Sequence, residues 1–435
     1  MFEKFIVEQN EHWEKELANT GFPRMIVSDL VKYLNIRQIV ALIGVRRSGK
    51  STVAKQLIKF LIEEKKVDPA NILFLNLESP LLNRFKNDPG NLQKIFDEYL
   101  ALAEPKGKLF IFLDEVQFFS DWQVFVKALY EKRAAKFFIT GSNSRLLSAE
   151  MATLLSGRSI AKSIYPFNFR EIIKIKKVGV ENAMEIIRNE GKLKIFFGGY
   201  LKDGGFPEIV LEKRKEIKKE ILANYYKNIL YQDIVPRFEV KKTKEIENLL
   251  LYLFSNIGQK YSYNSLAGFL KMNDKTVKEY IGFFEKSFLL FELSNFQYSL
   301  KKQENYPKKA YAIDNGFISV VSFSFSENYG HFLENAVFLG LLESGNEIYY
   351  HFEKHECDFV VKKGRKIIEA AQVTKILDHN NEKREFAGLL EAMEKFNLKE
   401  GLIITEDQED ERKINGKIIK IIPCWKWLLE NEKIQ

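Results

Sequence analysis

Gln38-Ile-Val-Ala-Leu-Ile-Gly44-Val-Arg-Arg-Ser-Gly49-Lys50-Ser51-Thr52 decides how the first third of this chain folds. An apolar run rich in β-branched residues reads as a buried strand. A loop of the form G-x-x-x-x-G-K-S follows, and then an apolar-periodic helix from Val53 to Leu61. Gly44 and Gly49 let the backbone turn tightly with its N–H groups inward, and the new helix adds its positive end. Gly44, Val45, Arg46, Arg47, Ser48, Gly49, Lys50, Ser51 and Thr52 therefore form a cradle for a polyphosphate. In such a cradle Lys50 sits on the β- and γ-phosphates, and the Ser51 hydroxyl holds Mg²⁺.

Working outward, Asn71 to Glu78 is a second buried strand closed by Ser79-Pro80. Lys108 to Gln117 holds an apolar run ending in Asp114-Glu115, which places Asp114 at the carboxyl end of a central strand, where an open α/β sheet binds its ligand. Asp114 is expected to hold the magnesium through its water shell, and Glu115 to take a proton from an attacking water. The strand from Lys136 ends in Ser142 and Asn143. That polar tip suits either contact with the lytic water and γ-phosphate or ordinary turn chemistry. Residues before 38 read as a charged helix, Phe2 to Ala18, and a link containing Pro23 and Arg24; such a lead-in either packs over a bound base or, the preferred reading, faces solvent.

A chain of 435 residues exceeds what one core normally supports, so two or three domains are expected. No apolar run is long enough to span a membrane, and the first ten residues lack a signal-peptide plan, so a cytosolic protein with no membrane partner is expected. Two cysteines, Cys357 and Cys424, exclude a disulfide framework. The net charge of +8, from 67 basic and 59 acidic residues, is mild: it permits nucleic-acid binding without demanding it.

The order of phosphate loop, Asp-Glu strand and polar-tipped strand resembles the AAA+ class of P-loop ATPases, in particular the archaeal ATPase family with long C-terminal extensions. Leu155 to Glu171 also resembles that family, with Gly157-Arg158 before a last strand and Pro166-Phe167 in a turn. The resemblance implies an α/β fold, with a parallel-sheet ATPase domain over 38–171 and a helical lid and hinge over 172–242. It also implies ATP and Mg²⁺ as cofactors. The polar-tipped strand would lie between the other two, setting Ser142 or Asn143 between Lys50 and Glu115. Arg158 would reach the γ-phosphate of a neighbouring copy, so self-association is implied; Arg145 competes for that role.

Residues 243–325 have the rhythm of a winged helix. If they meet DNA, Lys275, Thr276 and Lys278 face the major groove and Lys301, Lys302, Lys308 and Lys309 the phosphates. Glu279 and Glu285 oppose that. Residues 330–435 run helix, three strands, helix, strand, which resembles the restriction-endonuclease-like core, whose active members set an Asp and a Glu-x-Lys beside a metal. Asp358 is present and Glu334 is a helix-borne carboxylate. The third strand offers Glu369 followed by Ala371, or Ala370 followed by Gln372, so either register loses one group and an inactive nuclease fold is expected. His351, His355 and Cys357 lack a fourth zinc ligand and read as a surface hairpin. Three functions remain: a Mg²⁺-dependent ATPase switch or motor acting on DNA, an ATP-gated nuclease, and a nucleotide-dependent protein-binding regulator that never touches DNA.

Overall fold

The computed structural model describes residues 1–14, 20–142, 155, 157–321 and 329–430. The chain divides into two compact units, 1–165 with 286–288, and 166–285 with 289–435.

The first unit is built on a five-stranded parallel sheet: β1 (Ile39–Ile43), β2 (Ile72–Asn76), β3 (Leu109–Asp114), β4 (Ala135–Gly141) and β5 (Ser159–Ser163), in the order β2-β3-β4-β1-β5. Every residue of β1 and β3 is buried, as a parallel sheet covered on both faces requires. The helix Lys50–Glu63 turns Val53, Leu57 and Leu61 onto Val40 and Leu42, the i, i+4 stripe meeting the strand that precedes it. Phe112 and Phe138 stack between β3 and β4 with ring centroids 4.9 Å apart. β4 thus stands between β1 and β3, and the Ser142 end of that strand lies between the phosphate loop and the Asp-Glu pair.

The first fourteen residues do not face solvent as a free lead-in. β2 is an edge strand, and its open backbone groups are taken up by this segment. The Asn10 amide donates to Phe74 O at 3.0 Å and accepts from Phe74 N at 2.7 Å. His12 Nε2 and Trp13 Nε1 both reach Ile72 O, at 3.1 and 3.0 Å. Phe5 and Ile6 of the helix Glu3–Gln9 are buried beside them. The reason is the cost of an unpaired sheet edge, which side-chain amides can satisfy as well as another strand. Burial pushes the His12 imidazole down to about 4, so it stays neutral and donates from Nε2.

The second unit begins with helices Phe169–Ile175, Ala183–Asp203 and Lys215–Asn228. Helices Thr243–Ser255, Tyr263–Leu270 and Asp274–Lys286 follow, and then an antiparallel ribbon of β6 (Leu290–Ser294) and β7 (Lys308–Ala312). Lys308 and Lys309, expected on a phosphate-facing wing, are 5% and 1% exposed. Lys308 Nζ instead donates to Ser294 Oγ and Gln303 O. Every residue of β7 is buried, so both of its faces are covered.

After the helix Tyr329–Glu343, six strands form one sheet: β8 (Glu347–Phe352), β9 (Glu356–Lys363), β10 (Lys366–Val373), β11 (Glu400–Thr405), β12 (Asp410–Ile414) and β13 (Lys417–Pro423). Their order is β12-β13-β11-β10-β9-β8. β8, β9 and β10 run antiparallel, while β10 pairs with β11 and β11 with β13 in parallel. The helix Glu382–Lys395 covers one face through Leu389, Ala392 and Met393, against Cys357, Val360 and Ala370. Both cysteines are buried and free. Among the described residues no helix is long and apolar enough to cross a membrane.

Candidate functional site

The loop after β1 is shaped by its glycines and by an arginine outside it. A Cβ on Gly44 would lie 2.1 Å from Ile164 O, so only glycine lets the loop pass under the chain leaving β5. Gly49, at φ 97°, turns the chain into the helix Lys50–Glu63 from the left-handed region, and Arg47 is left-handed too, at φ 71°. Val45 and Ser48 are buried, and among the described residues the Ser48 hydroxyl has no hydrogen-bond partner. Thr52 is half-buried in the first turn of the helix. Arg46 pairs with Glu78 at 2.5 Å. Arg24, treated above as part of a solvent-facing link, is buried: its guanidinium donates to Ser48 O and Tyr165 O, both at 2.8 Å. It ties the loop to the exit of β5, and only its position next to Pro23 marked it in the sequence.

Ser51 and Asp114 meet. Ser51 Oγ donates to Asp114 Oδ2 at 2.8 Å, and Thr140 Oγ1 donates to Asp114 Oδ1 at 2.6 Å. Thr140 Oγ1 also accepts the Glu115 backbone N–H at 2.9 Å, so one hydroxyl sets both carboxyl-bearing residues. Sequence reasoning missed Thr140; the parallel register, with Leu113 opposite Ile139, puts it beside Asp114 once the strand order is known. Burial, with the neighbouring Glu115 charge, pushes the Asp114 carboxyl up, against the Thr140 and Ser51 hydrogen bonds. A cavity of about 300 Å³ opens on this pair, lined also by Lys55, Asn76, Glu8 and Glu11. A buried carboxylate next to a helix-terminal hydroxyl, both facing open space, is a donor set that fits a hard cation such as Mg²⁺.

Lys50 and Glu115 also meet. The Lys50 ammonium is folded back on the loop, donating to Gly44 O at 3.3 Å and Val45 O at 3.2 Å, and it lies 3.3 Å from Glu115 Oε1. Gln117 Nε2 holds the other oxygen, Oε2, at 2.5 Å and reaches Ser142 Oγ at 3.2 Å. Gln117 Oε1 is buried without a partner among the described residues. Burial works to raise the Glu115 carboxyl, but Lys50, Gln117 and Arg46 outweigh it and hold it below its ordinary value. Glu115 itself is left-handed, at φ 52°, where a non-glycine residue costs of order 1–3 kcal/mol. Gln117, two residues beyond the Asp-Glu pair, carried no signal in sequence.

Asn143 and Arg145 lie outside the described residues. Arg158 precedes β5 at the end where Ser159 pairs with Ile39. The phosphate loop leaves the other end of β1, about 16 Å away at ~3.3 Å per residue. Arg158 faces Glu131 at 3.7 Å and does not join the cluster around Lys50.

In the second unit Asp358 and Glu334 come together, but around a lysine, Lys309, and with Glu356. Of the two registers on β10, the structure brings Gln372 to Asp358, whose backbone N–H it accepts at 3.2 Å. Glu369 takes no part: burial alone pushes its carboxyl up to about 7. His351 is fully buried, 3.1 Å from Glu391, because β8 faces the helix Glu382–Lys395. The hairpin is present, with His351 opposite Cys357 across β8 and β9, but both side chains are buried and only His355 at its tip is exposed.

A family model described as an AAA domain matches residues 36–173, and one described as a domain of unknown function (DUF8612) matches residues 197–327. The chain is 33% identical to the uncharacterized protein MJ1544 of Methanocaldococcus jannaschii, over 99% of this chain and 95% of that one. It is 28% identical to an uncharacterized protein of Haemophilus influenzae, over 93% and 97% respectively. Among solved structures it is similar to the Aeropyrum pernix ORC1 protein in complex with DNA, at 12% identity and a TM-score of 0.34, over 72% of this chain and 94% of that one. That degree of likeness is too small for either to inform the other.

Proposed function

This chain belongs to the same family as MJ1544 of Methanocaldococcus jannaschii and carries an AAA+ P-loop domain, and from that premise we propose that it is a Mg²⁺-dependent ATPase whose catalytic base is released by the nucleotide. The observation that carries this reading is the contact between Lys50 and Glu115 at 3.3 Å. Among the described residues, Lys50 donates to two loop carbonyls and lies beside this carboxylate. The β- and γ-phosphates of ATP offer it more negative charge, so Lys50 turns to them and Glu115 Oε1 is left open. Burial, no longer opposed by the ammonium, then raises the Glu115 carboxyl and makes it a better base. Glu115 takes the proton of a water attacking the γ-phosphate, and Gln117 keeps its second oxygen aimed.

Ser51 and Asp114 would hold the magnesium ion, which neutralises charge on the β- and γ-oxygens. Thr140 keeps the Asp114 carboxylate turned toward that position. Arg158 stands at the far end of β5 from its own loop, so it would serve the site of another copy, which implies self-association. For the output, burial of Lys308 and Lys309 removes two of the cations a DNA-binding wing would need, and Lys278 is paired with Glu304 at 3.3 Å. A nucleotide-driven switch acting on a protein partner is the reading this favours over one acting on DNA.

The test compares Glu115→Gln with Lys50→Ala. The first is expected to bind ATP and release no phosphate, the second to lose binding, measured by a fluorescent ATP analogue and by phosphate release. Normal turnover by Glu115→Gln would sink the assignment of the base.

A further inference from the structure

In the second unit, Glu334, Glu356 and Asp358 converge on one ammonium group, that of Lys309, at 3.1, 2.8 and 3.0 Å. The Lys309 side chain is 2% exposed. The four residues come from three places: β7, the helix Tyr329–Glu343 and β9. Tyr311 donates to the same Glu334 oxygen, Oε1, at 2.7 Å, while the second oxygens of Asp358 and Glu356 are taken up by Val373 N at 3.0 Å and by Lys260 at 2.6 Å. A bulge aims Asp358. Opposite β8 the register runs Tyr349 to Val360 and then His351 to Cys357, so β9 carries one extra residue beside Asp358.

A carboxylate from a helix and one from the second strand of such a sheet would suit a divalent cation, as the restriction-endonuclease-like reading expects. The donor set does not fit one. Mg²⁺ needs these oxygens about 2.0–2.1 Å from its own centre, and the point they share is occupied by Lys309 Nζ. An ammonium and a metal ion repel each other and compete for the same lone pairs. β10 supplies Ala370 and Gln372 where a further carboxylate and a lysine would be required, and the Gln372 amide is committed to Glu385 at 2.6 Å.

We propose that Lys309 is the resident cation of this centre: an ammonium tethered to β7 stands where a metal would stand. The carboxylates then hold the β6–β7 ribbon to the β8–β13 sheet and activate no water. A buried lysine is tolerated only when its charge is matched and its protons are all donated, and three carboxylates meet both conditions. With the lysine removed, the cluster keeps three converging carboxylates against one remaining cation, Lys260 on Glu356, which leaves a net negative site suited to a cation.

The experiment counts Mn²⁺ bound to the full-length protein by electron paramagnetic resonance, in the wild type, Asp358→Asn, Lys309→Ser, and the double variant. The wild type and Asp358→Asn are expected to bind equal amounts. Lys309→Ser is expected to take up one additional equivalent, which the double variant loses. An Mn²⁺ ion in the wild type that Asp358→Asn removes would overturn the proposal. So would a Lys309→Ser protein with wild-type circular dichroism that gains no ion. If Lys309→Ser does not fold, the wild type and Asp358→Asn comparison decides alone, together with plasmid nicking in Mn²⁺. Nicking lost on Asp358→Asn refutes the proposal; equal Mn²⁺ uptake with no nicking supports it.

Discussion

Replacing Gln117 by alanine should slow the chemical step and leave nucleotide binding intact. Among the described residues the side chain donates to Glu115 Oε2 at 2.5 Å and to Ser142 Oγ at 3.2 Å, and makes no hydrogen bond to the loop. A hydrogen bond to a charged carboxylate is worth about 1.5–3 kcal/mol. If that energy serves only to keep Glu115 aimed while it takes a proton, its loss appears in the barrier, and each 1.36 kcal/mol is tenfold in rate. A fall in kcat of roughly 10- to 100-fold follows, with KM for ATP unchanged. The pH profile moves as well. The Gln117 hydrogen bond helps hold the Glu115 carboxyl down, so its removal lets burial push the carboxyl up. The base is then protonated at higher pH, and the acid limb of kcat shifts to the alkaline side. Steady-state phosphate release across pH, with ATP varied at each point, gives both quantities. Wild-type kcat in Gln117→Ala, or a loss confined to KM, would refute the reasoning, whereas a correct base with an incorrect role for Gln117 would leave Glu115→Gln inactive and Gln117→Ala unaffected.

Two further outcomes follow from the same unit. Arg24→Ala removes buried donors to Ser48 O and Tyr165 O; the orphaned carbonyls should cost about 1–3 kcal/mol each, read as a lowered midpoint in urea and as weaker ATP binding, since Ser48 belongs to the loop. Arg158→Ala should be inactive alone and partly active when mixed with Lys50→Ala, because each copy then supplies what its neighbour lacks; no recovery in the mixture would count against an arginine acting between copies.

Much of the first unit was legible because its chemistry is contiguous. Gly44 to Thr52 is one loop, and Asp114-Glu115 ends one strand, so spacing along the chain carries the geometry. Thr140 and Gln117 escaped because their roles exist only once β4 lies between β1 and β3: a threonine inside an apolar strand reads as sheet filler, and a glutamine after a turn reads as surface. The N-terminal segment misled for a related reason. Its charges at Glu3, Lys4 and Glu8 describe the outer face of a helix, while the residues that matter, Asn10, His12 and Trp13, act on backbone atoms of β2, about 60 residues away in the chain. Lys309 is the extreme case. Next to Lys308, it reads as one of a basic pair on a wing, and the partners that make it a core residue are 25, 47 and 49 positions further on.

The two buried lysines differ in whether they can be drawn away. Lys50 is held by two carbonyls and one carboxylate, all at 3.2–3.3 Å. On the proposed mechanism a triphosphate would bring more charge than that set supplies, so the lysine would exchange partners and Glu115 would be freed as a direct consequence. Lys309 is held by three carboxylates at 2.8–3.1 Å, and the cavity beside it is lined by Lys354, Arg384, Glu385 and the same acids. No ordinary anion entering that cavity outbids three carboxylates, and repulsion from them would oppose its entry. On this reasoning the same residue type would serve as a mobile contact in one unit and as a fixed one in the other, and the number of carboxylates around each ammonium would decide which.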